Sequence, residues 1–230
     1  MKIKKNQVFV SFILFILFIT SPLFCYASNS AKKVIALTFD DGPNKQYTEA
    51  VLNILKKNNI NATFFVIGSN VKNQPEMLKK VFADGNLIGN HSYTHPNLSK
   101  IDSNLITKEL NRTNDIIYKT IHVYPTLMRP PYGACDTHCK KIVNTLGFKE
   151  ISWDYLVNDW DVNKTTSEII ATSIIKHAGP SKILSMHDGG GNRDKTVKAL
   201  PNIIATLKKE GYTFVTVAEL LNIEPYRKTD

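Results

Sequence analysis

The chain is 230 residues long, 43% hydrophobic and 21% charged, with 29 basic against 20 acidic residues and a formal net charge of +9. That is enough apolar material for one well-packed core, which excludes a disordered or fibrous protein. The lysines are scattered rather than clustered, so the charge does not argue for nucleic-acid binding, and a polyanionic wall or capsule would suit it equally well.

In chain order the N-terminus comes first. Lys2, Lys4 and Lys5 precede an uncharged apolar stretch over residues 8–24, and Cys25-Tyr26-Ala27 ends it on a small residue. This is secretory signal architecture, so residues 1–27 are expected to be removed, leaving one domain of residues 28–230 in a secreted or periplasmic protein. An uncleaved membrane anchor is the competing reading, because the stretch is close to the roughly 17 residues that a spanning helix needs. Bulky Phe24 disfavours a lipidated Cys25. The mature remainder keeps 26 basic and 20 acidic residues, a formal charge of about +6.

From Lys33 onward, short apolar runs alternate with helical patterns, without repeats or low-complexity linkers. Strands are expected at 34–39, 62–67, 87–89, 127–129, 150–153, 183–186 and 213–215. Helices are expected at 48–57, 75–84, 103–122, 140–146, 167–177 and 197–210, with Gly211 as a stop. This α/β alternation predicts an irregular (β/α) barrel of about seven strands in a single domain, with its functional groups on loops after the C-terminal strand ends. A doubly wound open sheet is the rival, yet no Gly-rich phosphate loop follows any strand.

The polar clusters fall on that rim. Asp40 and Asp41 end the first apolar run before Gly42-Pro43, and two carboxylates there can bind a cation and act as a base. His91 and His95 follow the run at 87–89, and with Asp41 they make a three-ligand set of the nitrogen-and-oxygen kind that zinc accepts. His187 follows the run at 183–186 and can serve as an acid; the glycines after Asp188 suggest backbone opened for close ligand approach. Arg129-Pro130-Pro131-Tyr132-Gly133 sets a permanent cation on a stiff segment. Asp159-Trp160 offers a carboxylate to orient an imidazole and an indole face for a sugar ring, whereas Trp153 is expected in the core.

Cys135 and Cys139 are the two cysteines left after cleavage, an even count that favours a disulfide over a metal pair. Residues four apart on a regular helix hold their Cβ atoms about 5–6 Å apart, too far for a bridge, so an irregular turn is expected there.

With these motifs in this order, the chain resembles the polysaccharide deacetylases of carbohydrate esterase family 4, the NodB-homology group that includes chitin and peptidoglycan deacetylases. The resemblance covers residues 33–223 and rests on Thr38-Phe39-Asp40-Asp41-Gly42, His91-Ser92-Tyr93-Thr94-His95, Arg129-Pro130-Pro131-Tyr132-Gly133, Asp159-Trp160 and Met186-His187-Asp188. It implies metal binding by Asp41, His91 and His95, with Asp40 as base and His187 as acid. Arg129 would tune Asp40, Asp159 would orient His187, and the Tyr132 backbone N–H would stabilise the oxyanion. Zinc is the implied ion, with cobalt, nickel or manganese as alternatives. The implied reaction removes N-acetyl groups from an N-acetylhexosamine polysaccharide.

Two positions depart from the pattern. Leu156 stands where relatives often carry an acid, and Ser185 where a leucine often lines the acetyl pocket. The resemblance implies Trp160, Tyr132 and Ser185 as the substrate contacts. An O-acetyl esterase acting on xylan or capsule, a lipid-linked sugar deformylase and a non-catalytic glycan-binding protein are the alternative functions.

Overall fold

The computed structural model describes residues 33–228; the expected signal segment lies outside them. In chain order the elements are β1 (Lys33–Asp40), α1 (Tyr47–Lys57), β2 (Thr63–Val66), α2 (Gly68–Asn73), α3 (Pro75–Ala83), β3 (Leu87–Asn90), α4 (Ser103–Ile121), β4 (Leu127–Met128), α5 (Thr137–Thr145), β5 (Lys149–Glu150), β6 (Tyr155–Leu156), α6 (Ser167–His177), β7 (Lys182–His187), α7 (Asp194–Lys209), β8 (Tyr212–Phe214) and α8 (Val217–Leu221). The strands pair in parallel in the order β5-β4-β3-β2-β1-β7-β6, and β8 joins the first half of β1. No ladder joins β5 to β6 among the described residues, so the (β/α) barrel is irregular and incompletely closed.

The period of two along β1 sorts its side chains. Ile35, Leu37 and Phe39 face outward into the core shared with α1 and α7, which contribute Val51, Leu52, Leu55, Leu200, Ile203, Ile204 and Leu207. Ala36 faces inward with Phe65, Leu87, Leu127, Ile151 and Ile183. Thr38 and Asp40 continue that inward row, so the strand delivers a carboxylate to the C-terminal mouth of the barrel. Register does the rest: Asp40 lies beside His187 on β7, and Asn90, one residue before His91, lies beside Met128, one residue before Arg129.

The predicted strand at 150–153 ends as a strand at Glu150, and the one at 127–129 ends at Met128. Arg129 explains the first, and at the second its own carbonyl is taken by His91 Nδ1 at 2.7 Å. The wholly buried Arg129 guanidinium crosses the interior, with Nε donating to Ile151 O at 3.2 Å and Nη2 to Ser152 O at 3.2 Å. Those carbonyls therefore serve the cation instead of a ladder. The helix predicted to begin at 140 begins at Thr137, because Asp136 caps it by accepting from the Cys139 N–H at 2.9 Å. Cys135 precedes this cap and bridges Cys139 with a Cα separation of 5.1 Å, so the disulfide staples the non-helical entry to the helix, as its four-residue spacing requires. β6, α2 and α8 are additional short elements whose lengths leave little periodicity to read.

Candidate active site

Asp40, Asp41, His91, His95, Tyr132, Trp160 and His187 all line one cleft of about 600 Å³ at the C-terminal mouth of the barrel. Pro130, Trp153, Leu156, Gly190 and Arg193 share its wall. Arg129 lies directly beneath, where Nη1 donates to Asp40 Oδ1 at 2.8 Å, Thr38 Oγ1 at 2.7 Å and Ser185 Oγ at 2.9 Å. Burial lowers the Arg129 pKa, while the charge and hydrogen bond of Asp40 oppose that shift.

Asp41 leaves the strand in the left-handed region, at φ 74°, which turns its carboxylate away from Asp40. His91 Nε2 and His95 Nε2 approach Asp41 Oδ1 at 3.4 and 3.2 Å, and the three ligand atoms lie within 4.8 Å of one another. Asp41 Oδ1 is nevertheless a buried oxygen without a hydrogen-bond donor among the described residues. Burial opposes the charge of Asp41, yet His91 and His95, whenever their Nε2 atoms carry protons, hold its carboxyl well below the usual carboxylate range, and a cation bound in place of those protons would favour the same anionic form. His91 Nδ1 lies 2.7 Å from Arg129 O; a carbonyl only accepts, so Nδ1 carries the proton and Nε2 is left as a ligand. An orphaned carboxylate oxygen with two converging imidazoles fits a divalent ion of the zinc type.

His187 is held from behind. Its Nδ1 lies 2.6 Å from Asp159 Oδ1, its backbone N–H donates to Asp159 Oδ2 at 2.9 Å, and Thr196 Oγ1 donates to that same oxygen at 2.8 Å. Burial by itself would lower the His187 pKa; the Asp159 hydrogen bond and the charges of Asp159, Asp40 and Asp41 outweigh it and raise the pKa. Trp160 meets the ring edge-on at 5.5 Å and is 45% exposed, leaving indole surface open to the cleft. Tyr132 is 70% exposed with φ 59°, and its N–H makes no backbone hydrogen bond among the described residues.

Three expectations change. Ser185 does not line the cleft: it is fully buried, accepting from Arg129 and donating to Asp40 Oδ2 at 3.2 Å, because its inward position on β7 lies next to Thr38. Trp153 sits at the core's edge rather than inside it: half-buried, it packs against the inner apolar cluster and Gly133 and also forms cleft wall. The glycines after Asp188 allow approach to protein as well as to the open cleft, since a Cβ at Gly189 would overlap the Asp41 carbonyl and one at Gly190 the Asp41 carboxylate.

Sequence reasoning also missed three residues. Glu109 on α4 accepts from Tyr93 N, Thr94 N and Thr94 Oγ1 at 2.8, 2.7 and 2.9 Å, holding the loop between the two histidines. Nothing in the helical pattern singled it out. Thr196 supports Asp159 in the same silent way. Arg193 was the legible one, since it directly follows Gly189-Gly190-Gly191-Asn192.

The polysaccharide deacetylase family model matches residues 27–151. The peptidoglycan-N-acetylmuramic acid deacetylase PdaA of Bacillus subtilis (strain 168) is 37% identical over 198 residues, 85% of this chain and 74% of that protein. The crystal structure of the Bc1960 peptidoglycan N-acetylglucosamine deacetylase superposes with a TM-score of 0.82 at 31% identity, over 86% of this chain and 92% of that one. The Xyl-CE4 domain of a multidomain xylanase from the hindgut metagenome of Trinervitermes trinervoides superposes with a TM-score of 0.78 at 35% identity, over 86% and 95% of the two chains. With its barrel and the motifs gathered at one mouth, the chain belongs to the polysaccharide deacetylases of carbohydrate esterase family 4.

Proposed function

We propose that this protein is a secreted, metal-dependent hydrolase that removes N-acetyl groups from an N-acetylhexosamine polysaccharide of the peptidoglycan type. The observation that carries the reading is the meeting of a charge-paired Asp40, a carboxylate-backed His187 and the Asp41–His91–His95 set in one cleft. Similarity to peptidoglycan deacetylases supports the substrate class. The N-terminal signal pattern and the Cys135–Cys139 disulfide support an oxidising, extracytoplasmic location.

Asp41, His91 and His95 would hold the metal, with zinc expected and cobalt, nickel or manganese able to serve the same donors. When bound, the ion supplies Lewis acidity to the acetamide carbonyl and eases the ionisation of water. Asp40 accepts the proton of the attacking water: a carboxylate offers about four lone-pair sites, and Arg129 and Ser185 occupy two of them. The Tyr132 N–H receives the negative charge that develops on the carbonyl oxygen. His187, its Nδ1 proton held by Asp159, delivers a proton from Nε2 to the departing nitrogen as the C–N bond breaks. The products are acetate and a free amine. Trp160 offers its indole face to the sugar.

Release of acetate and primary amine in equal amounts from peptidoglycan strands or N-acetylglucosamine oligomers, lost on metal stripping and restored by zinc, is the expected result. Similarity to a xylanase-borne domain of the same family supports one second reading, O-acetyl ester cleavage. Acetate without amine would establish it, and no acetate from any glycan at full metal occupancy would overturn both.

A further inference from the structure

Among the charged groups of the cleft wall, Arg193 stands apart. Asp40 is paired with Arg129, Asp41 faces two imidazoles, and His187 is paired with Asp159. Arg193 is 3% exposed, yet no carboxylate lies within 4.0 Å of it among the described residues. Its partners are neutral backbone carbonyls: Nε donates to Gly189 O at 2.7 Å and Nη1 to Asn192 O at 3.1 Å. Nη2 has no hydrogen-bond partner among the described residues. A buried cation without a counter-ion is costly, and here that cost is carried on the wall of the active cleft.

We infer that Arg193 is a specificity determinant that binds a free carboxylate carried beside the N-acetyl group of the sugar, the placement of the lactyl ether in N-acetylmuramic acid; this rests on the deacetylase reading above. The two carbonyl contacts hold the guanidinium in one orientation, so its remaining donor edge is ordered before a ligand arrives. That edge suits a carboxylate, which a planar guanidinium can grip with two parallel hydrogen bonds. Its position is also right. A Cβ at Gly190 would overlap the Asp41 carboxylate, and one at the next residue, Gly191, would sit 3.7 Å from both Nη atoms. Successive residues of one loop thus touch the metal-binding carboxylate and the unpaired cation. On the sugar, the acetamide and the lactyl ether occupy adjacent ring carbons, a matching short span. A hydroxyl at that ring position leaves the cation unanswered. An amidated lactyl group offers it one neutral oxygen in place of two charged ones.

The test uses the purified, zinc-loaded protein and glycan strands of alternating N-acetylglucosamine and N-acetylmuramic acid, with the lactyl carboxyl either free or amidated. Mass spectrometry after hydrolysis identifies which sugar has lost acetyl. Deacetylation is expected on the muramic residue, with kcat/KM about 10- to 100-fold higher for the free acid, the range of a lost charge-assisted contact. Arg193→Gln should erase that preference while Arg193→Lys keeps part of it. The wild-type comparison needs no variant, so a misfolded substitution cannot hide the answer. Equal rates on free and amidated strands, confinement of the reaction to glucosamine residues, or an equal loss on both strands in Arg193→Gln would overturn the inference while leaving the deacetylase reading intact. No acetate from either strand would overturn both.

Discussion

Asp40 Oδ1 and Arg129 Nη1 meet at 2.8 Å inside the barrel, joining β1 to the segment after β4 across the interior. The pair supports the fold and sets up the chemistry, and two substitutions separate these roles. Asp40→Asn should lower kcat by about 10²–10⁴, as loss of a general base does, while leaving zinc affinity unchanged. Arg129→Met would leave a buried carboxylate without its cation and should destabilise the protein by about 3–5 kcal/mol. For a domain of this size that is roughly 6–20 °C in thermal midpoint. Calorimetry on both variants beside steady-state kinetics decides it; an unshifted midpoint in Arg129→Met would deny the arginine its structural role.

The raised pKa of His187 keeps its imidazole protonated to higher pH than an ordinary histidine. A general acid works while protonated, so activity should fall as pH rises through this pKa. Asp159→Asn removes the partner that raises it, and the alkaline limb of the kcat profile should move to lower pH. A limb that stays in place would assign it to another group.

Glu109 touches no ligand atom but fixes the backbone between His91 and His95 through three hydrogen bonds. Loss of such support commonly weakens metal binding about 10- to 100-fold. Glu109→Ala should therefore surrender zinc to a competing chelator at correspondingly lower chelator concentration. At saturating zinc, kcat should return to near wild type, since the reacting groups are untouched.

Asp188 is buried and accepts from Thr48 Oγ1, while its Oδ1 has no partner among the described residues. Burial pushes its pKa up to about 7, against an ordinary value of 3.8. The folded protein then holds a proton that the unfolded chain has released. This group's contribution to stability is fully present below pH about 4 and is lost as pH rises through about 7. At 1.36 kcal/mol per unit the loss is up to about 4 kcal/mol. Thermal midpoints of the metal-free protein should fall across that window, and Asp188→Asn should flatten the fall.

Much of the barrel was legible because period-two and period-3.6 patterns are local: outward Ile35, Leu37 and Phe39 mark β1, and the apolar stripe of α4 marks a helix over Ser103–Ile121. The charged clusters at strand ends were legible for the same reason, since each sits where an apolar run breaks. Ser185 was misread because its neighbour across the ladder is not encoded nearby. Only the pairing of β7 with β1 and the reach of Arg129 turn a supposed pocket residue into part of the base's buried support.

By itself, then, the sequence determined the element alternation, the rim placement of Asp40, Asp41, His91, His95 and His187, and the bridgeable spacing of Cys135 and Cys139, all properties of short stretches of chain. The tertiary structure alone decided the rest. It ended the strand at Glu150 where the carbonyls of Ile151 and Ser152 serve Arg129, brought Trp153 to the cleft, and left Arg193 there without a counter-ion among the described residues. Each of these depends on which groups distant in the chain compete for the same hydrogen bond or charge, and only folding sets that competition.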